Sequence, residues 1–181
     1  MCYNELSIMK KNFSMSLMPA AAVLGFAVAG MVFGSCSSVD CPLNNRVLTN
    51  YALLTADGGK DTMRLEMTIS TNRADGSDSV LINRDADVTK FSLPVSNAMP
   101  RDTFFVELSN AETGVSTLDT IVVSKSDVMH FESTDCAASY FHRITGVATT
   151  RHAIDSVAIN NHDVNYDTSK THFYIYFAPR G

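Results

Sequence analysis

Polar and apolar side chains alternate with a period of two residues along much of this chain, and the alternation limits the fold more than any other property of the sequence. Residues 63–70 (MRLEMTIS) place an apolar side chain at every odd position. Residues 172–177 (HFYIYF) place Phe173, Ile175 and Phe177 on one side. Because successive side chains of a β-strand point to opposite faces, each segment predicts a strand with one face in a core.

Further segments have the composition of strands: residues 47–54, 79–82, 89–95, 103–109, 116–124, 128–132, 140–147 and 155–159. Clusters of Asp, Asn, Gly and Pro separate most of them, as expected of turns. We therefore expect residues 46–181 to form one all-β domain, an antiparallel β-sandwich that is immunoglobulin-like in outline, with its topology undetermined. A turn or two of helix is expected within residues 135–142.

Residues 20–34 (AAAVLGFAVAGMVFG) form an apolar run without a charge, preceded by two lysines and followed by small residues and Cys36. A basic start, an apolar centre and a small-residue exit are typical of a secretory signal peptide. The run is shorter than the about 20 apolar residues that cross a bilayer, although a retained anchor remains an alternative. Translation starts at Met1 or at Met9, which directly precedes the lysines.

The residues before Cys36 resemble the lipobox of bacterial lipoproteins, in which the cysteine is acylated and the peptide bond before it is cut. Phe33 departs from the pattern, because that family usually carries an aliphatic residue there. The resemblance implies a signal peptide over residues 1–35, lipidation at Cys36 and a short tether over residues 36–45. Cleavage without lipidation is the other alternative. Acyl chains would hold the domain on a membrane without a spanning helix.

Two cysteines, Cys41 and Cys136, lie beyond Cys36 in the mature chain. An even pair in an oxidising compartment predicts a disulfide, and the alternative is two free thiols. Closing a loop this long would contribute on the order of 4 kcal/mol to stability in the chain-entropy model.

The charge balance argues against nucleic acid as a partner. Lys and Arg number 14 against 19 Asp and Glu, which gives a formal net charge of -5, whereas phosphate binding requires a basic surface. With 45% hydrophobic and 18% charged residues, the chain is too apolar to be disordered. The sequence has no histidine pair spaced for zinc and no glycine-rich phosphate loop, so we expect no cofactor.

Two groups of residues are candidates for ligand binding. Four carboxylates in neighbouring loops could supply oxygen ligands to calcium, although such residues also serve turn geometry: Asp75, Asp78, Asp85 and Asp87. Tyr174 and Tyr176 lie opposite the core-facing side of their strand and could stack on a sugar or a peptide. Core packing is the alternative explanation for these aromatic side chains.

Five segments resemble a family of uncharacterised lipoproteins from Bacteroides-type Gram-negative anaerobes: residues 35–45 (SCSSVDCPLNN), 70–83 (STNRADGSDSVLIN), 91–96 (FSLPVS), 131–136 (FESTDC) and 172–177 (HFYIYF). The resemblance covers nearly the whole mature chain and implies attachment to the envelope of such a cell, with the outer membrane as the expected site. It implies no catalytic residue.

Taken together, these features predict a non-enzymatic cell-envelope lipoprotein whose β domain contacts a protein or an envelope polymer. The first alternative is a small ligand-binding module for a glycan or calcium. The second is a hydrolase, which would need a cleft with converging Ser, His and Asp side chains or paired carboxylates. The chain lacks the Gly-x-Ser-x-Gly motif of the α/β-hydrolases, so we expect no enzymatic activity.

Overall fold

The computed structural model describes residues 41, 46–73 and 75–179. Its strands are β1 (Leu48–Leu54), β2 (Glu66–Asn72), β3 (Asp78–Asp85), β4 (Lys90–Pro94), β5 (Arg101–Ser109), β6 (Ser116–His130), β7 (Ser139–Thr149), β8 (Ile154–Ile159), β9 (Asp163–Val164) and β10 (Phe173–Phe177). The described ranges hold strands and turns, and no helix in them has the length and hydropathy to cross a bilayer. The predicted signal peptide, Cys36 and the tether apart from Cys41 lie outside the described residues.

The strands form two sheets, which confirms the prediction of an all-β sandwich. One sheet has the order β4-β1-β10-β8, and the other has the order β3-β2-β5-β6-β7-β9. Neighbouring strands are antiparallel except for β1 and β10, which run parallel with Tyr51 opposite Phe173. The topology that the sequence left open therefore places the first and the last strand side by side.

The core lies between the two sheets and draws on both of them. Tyr51 is fully buried, and its ring stacks on Phe91 and on Phe173 with 4.8 Å between centroids in each pair. The facing sheet contributes the alternate side chains that the period of two assigns to one face, among them Met67, Ile69, Phe104, Val106, Ile121 and Val123. Stacked rings and branched aliphatic side chains thus close the sandwich from opposite sides.

Strand β6 is the longest strand, and it extends past its neighbour β5. Pairing between β5 and β6 ends at Arg101 and Ser124, whereas pairing between β6 and β7 continues to His130 and Ser139. A register shift follows Ser124, and beyond it Lys125 of β6 and His142 of β7 are buried polar residues. We call residues 125–142 the β6–β7 tip.

The helical turns expected within residues 135–142 are not formed. Residues 134–136 make a turn, and Ser139 begins β7, where its hydroxyl donates to the carbonyl oxygen of His130 at 3.2 Å. The backbone groups of residues 139–142 therefore pair across the hairpin with β6 rather than within a helix.

Candidate functional site

A disulfide joins the segment before β1 to the loop between β6 and β7. The Sγ atoms of Cys41 and Cys136 are 2.10 Å apart, and their Cα atoms are 5.5 Å apart. This distance agrees with the pairing expected from the cysteine count. The bond fixes the start of the domain to the β6–β7 tip.

A cleft of about 680 Å³ opens at the end of the sandwich where β5 and β7 begin. Val47 and Pro94 come from the segments that enter β1 and end β4, whereas Phe104 and His142 come from the other sheet. Both sheets therefore contribute to its walls, and the volume lies in the range of small-ligand sites. Ala138, two residues past Cys136, completes the rim.

Asp102 is the buried carboxylate of this cleft. Only 6% of the residue is exposed. Its Oδ1 atom accepts a hydrogen bond from the backbone N–H of Ser96 at 3.2 Å, whereas Oδ2 is buried without a hydrogen-bond partner. A buried acceptor without a donor costs free energy. The cleft therefore contains one buried, unsatisfied hydrogen-bond acceptor.

Lys125 is buried close to Asp102 but is bound to other groups. Its Nζ atom donates to the carbonyl oxygen of Met99 at 2.8 Å and to Oδ1 of Asp127 at 2.9 Å. The same Asp127 oxygen lies 2.7 Å from Nδ1 of His142. Lys125, Asp127 and His142 thus satisfy one another, and the cation makes no hydrogen bond to Asp102.

The protonation equilibria of this group follow from burial and charge. Burial raises the pKa of Asp102 from 3.8 to about 6, with the charge of Lys125 and the Ser96 hydrogen bond acting against the rise and the charge of Asp127 adding to it. Burial lowers the pKa of His142 against the opposing effect of Asp127. Burial acts to raise the pKa of Asp127, but hydrogen bonds from Lys125 and His142 outweigh it and lower that pKa. Asp102 is therefore the carboxyl whose charge the fold holds least well.

Two exposed guanidinium groups lie on the lining of the same cleft. Arg46 precedes β1, and Arg73 follows β2, where its Nη2 atom donates to the hydroxyl of Ser79 at 3.2 Å. Arg46 and Arg73 can therefore donate hydrogen bonds into the cleft, and Asp102 places a buried carboxylate in its wall. This combination suits a polar ligand with both donors and acceptors.

The cleft also brings a serine and a histidine together without forming a catalytic triad. Ser139 and His142 both line it, and His142 contacts Asp127 as a triad histidine contacts its carboxylate. The Ser139 hydroxyl, however, donates to the His130 carbonyl and makes no hydrogen bond to His142. A nucleophilic serine needs that contact with its base.

The two tyrosines of β10 differ in their surroundings. Tyr176 lines a second cleft, of about 510 Å³, together with Asp61 and Asp155. Tyr174 lines neither cleft, and both side chains are half-buried. Of the two candidate tyrosines, Tyr176 therefore borders a cleft beside carboxylates and Tyr174 does not.

The four carboxylates considered for calcium do not converge. Asp78 and Asp85 are the first and last residues of β3, and the other two flank these ends. Asp75 Oδ1 accepts hydrogen bonds from the backbone N–H and the hydroxyl of Ser77 at 2.9 and 2.6 Å, which is turn geometry. In the part of the chain that the structure describes, no group of three or more His, Cys, Asp or Glu side chains is placed to hold a metal ion.

From the sequence we did not identify the two buried charged residues at the first cleft, Asp102 on its lining and Lys125 beside it. A signal was nonetheless available: Asp102 falls on the same alternation as Phe104 and Val106, and Lys125 falls on that of Ile121 and Val123. A charged residue at a core-facing position of a strand is unusual and marks a paired or functional group.

Comparison with known proteins gives a family without an assigned activity. No curated protein and no solved structure matches the sequence. A family model matches residues 66–177, from the first residue of β2 to the last residue of β10, and so includes Asp102 and Cys136. Because the match covers more than half of the chain, the protein belongs to the family of unknown function DUF6452.

Proposed function

We propose that this protein is a non-enzymatic lipoprotein of the cell envelope, anchored at the outer membrane through an acylated Cys36, that binds an envelope polymer in the cleft around Asp102. The ligand presents hydroxyl or ammonium donors to the Asp102 carboxylate. Its acceptor groups lie against the guanidinium groups of Arg46 and Arg73.

The observation that carries this proposal is the state of Asp102. The carboxylate is buried in a cleft, burial raises its pKa to about 6, and its Oδ2 atom has no partner. Such a group destabilises the fold, and perturbed carboxyls of this kind concentrate at functional sites. A ligand donor that displaced the atoms covering Oδ2 would relieve the cost and convert it into binding free energy.

The placement in the envelope has two sources of support. The sequence before Cys36 has the order of a lipoprotein signal, with a basic start, an apolar run and small residues before the cysteine. Cys41 and Cys136 lie at disulfide distance, and such bonds persist in oxidising compartments outside the cytoplasm.

The proposal is tested with soluble fragments of peptidoglycan, an envelope polymer that carries sugar hydroxyls and free amino groups. Titration calorimetry of the purified lipoprotein should show saturable binding that Asp102→Asn weakens at least about tenfold, the equivalent of one charge-assisted hydrogen bond. Glu107→Gln is the matched control, since Glu107 lies on the same strand with its side chain exposed. Equal affinity of the Asp102 variant and the control would refute the assignment of Asp102.

The second cleft favours a glycan as an additional candidate ligand. Tyr176 offers a half-buried ring, and Asp61 and Asp155 place carboxylates beside it, which is a combination that binds sugars by stacking and hydrogen bonding. Tyr176→Ala should abolish binding of glycan strands freed of their peptides, whereas Tyr174→Ala should leave it intact. Loss of binding in both variants or in neither would exclude this cleft.

A further inference from the structure

Three exposed apolar residues lie within four positions of one another on the β6–β7 tip. Val128, Met129 and Phe131 are 55%, 54% and 58% exposed. The part of β6 that carries the first two extends beyond the last residue pair with β5, so that β7 alone among the described strands flanks it. Val128 and Met129 are consecutive strand residues, so their side chains point to opposite faces of the hairpin. Single exposed apolar residues are ordinary, but large ones on both faces of one tip suit a contact that takes the tip end-on.

The disulfide ties the start of the mature domain to the same tip. Cys136 lies in residues 131–138, the loop that also carries Phe131, and it is bonded to Cys41. Cys36 precedes Cys41 by five residues, and five residues span at most about 18 Å when fully extended. Acyl chains on Cys36 would therefore keep the bilayer within that distance of the disulfide.

We propose that the β6–β7 tip rests on the lipid surface, with Phe131, Met129 and Val128 in the interfacial layer. This inference rests on the proposed acylation of Cys36. With Cys36 acylated, the chain itself would hold a bilayer close to this end of the domain. Burial of apolar side chains at the interface adds to the membrane affinity of the acyl chains.

Charged residues of the loop set the depth of the contact. Glu132 follows Phe131 directly and lies 3.1 Å from Nε2 of His130, and Asp135 precedes Cys136 and is exposed. Carboxylates are costly in hydrocarbon, so Glu132 and Asp135 would stay in the headgroup layer while the Phe131 ring reaches the boundary with the acyl chains.

The sequence has no tryptophan, so a single introduced tryptophan gives an unambiguous fluorescence signal. Phe131→Trp is introduced into the full chain, and the lipoprotein is extracted from membranes and reconstituted into phosphatidylcholine vesicles with brominated acyl chains. Val115→Trp is the matched control: Val115 is 65% exposed and precedes the other end of β6, roughly 50 Å from Phe131 along the strand. Met129→Trp replaces the first probe if that variant does not fold.

We expect brominated lipid to reduce the emission at position 131 about twofold or more, with a shift to the blue, and to leave position 115 unchanged. An equal degree of quenching at positions 131 and 115 would overturn the inference. A blue-shifted but unquenched Phe131→Trp would also overturn it, because a second copy or another protein would then cover the tip. Mass spectrometry of the same sample separates the two claims: an unmodified Cys36 refutes the anchor and the surface together, whereas an acylated Cys36 with an unquenched tip refutes the surface alone.

Discussion

Replacing Asp102 with Asn should stabilise the protein at neutral pH while it weakens ligand binding. The carboxyl has a pKa of about 6 in the fold against an ordinary value of 3.8. Because a tenfold change in a dissociation constant corresponds to about 1.4 kcal/mol, ionised Asp102 costs the folded state about 3 kcal/mol. The neutral amide carries no such cost at any pH.

The sign of the pH dependence follows from proton binding. Between pH 3.8 and about 6 the folded protein holds a proton on Asp102 that the unfolded chain has released, so the stability of the wild type falls as the pH rises through this window. Below pH 3.8 Asp102 is protonated in both states, so the free-energy cost of its charge is absent. Above about pH 6 it is ionised in both states, so the folded state bears the full cost. The stability of Asp102→Asn relative to the wild type should therefore rise by about 3 kcal/mol between pH 3.5 and pH 7.5.

Urea unfolding followed by far-ultraviolet circular dichroism measures this difference across the pH range. Titration of Asp127 and His142 affects both proteins and largely cancels, which leaves the change due to Asp102. Glu107→Gln, on the exposed face of the same strand, should stay within about 0.5 kcal/mol of the wild type throughout. A stability difference between Asp102→Asn and wild type that is constant with pH, or that shrinks as the pH rises, would refute the reasoning.

Three further predictions concern the buried polar groups and the disulfide. Asp119→Asn should lower the unfolding free energy by about 2–4 kcal/mol at pH 7, because Asp119 accepts hydrogen bonds from the backbone N–H groups of His152, Ala153 and Ile154 and from the Thr150 hydroxyl. These bonds outweigh burial and lower the pKa of Asp119, so their contribution to stability is lost as the pH falls below 3.8. Urea unfolding measures the loss, with Asp155→Asn as the control. Replacing Cys41 and Cys136 with Ser should cost about 3–5 kcal/mol and make stability insensitive to reductant in the same assay. Lys125→Met should raise the pKa of Asp102 further in an NMR titration, since the Lys125 charge opposes that rise; an unchanged pKa would show that the cation does not act on Asp102.

The alternation of side chains predicted most strands because their burial follows it. Strand β1 alternates between buried and partly exposed positions over Thr49–Leu54, and β5 does so over its whole length. The alternation gave wrong strand bounds where a charged side chain faces the core. Residues 116–124 and 128–132 were predicted as two separate strands, but β6 continues through Lys125, which is buried and bonded to Asp127.

Sheet order and site geometry could not be predicted in the same way. The parallel pairing of β1 with β10 joins segments more than one hundred residues apart, and a period of two identifies the buried face of a strand without naming its neighbour. The same limit applies to the calcium hypothesis. Asp78 and Asp85 are close in sequence, but β3 separates them by its full length, roughly 23 Å.

The β6–β7 tip connects the cleft to the proposed membrane contact. Its base supplies Lys125, Asp127 and His142, which fix the electrostatic surroundings of Asp102, and its loop carries the disulfide and the exposed Phe131. Arg46, on the cleft lining, follows Cys41 by five residues. Under the proposed acylation of Cys36, a force from the anchor would reach the loop of the tip through the disulfide, a covalent bond, rather than through loop packing. The proposed anchor and polymer contact would together put the domain under tension, and a disulfide at this position would resist it without relying on the small free energies of side-chain contacts.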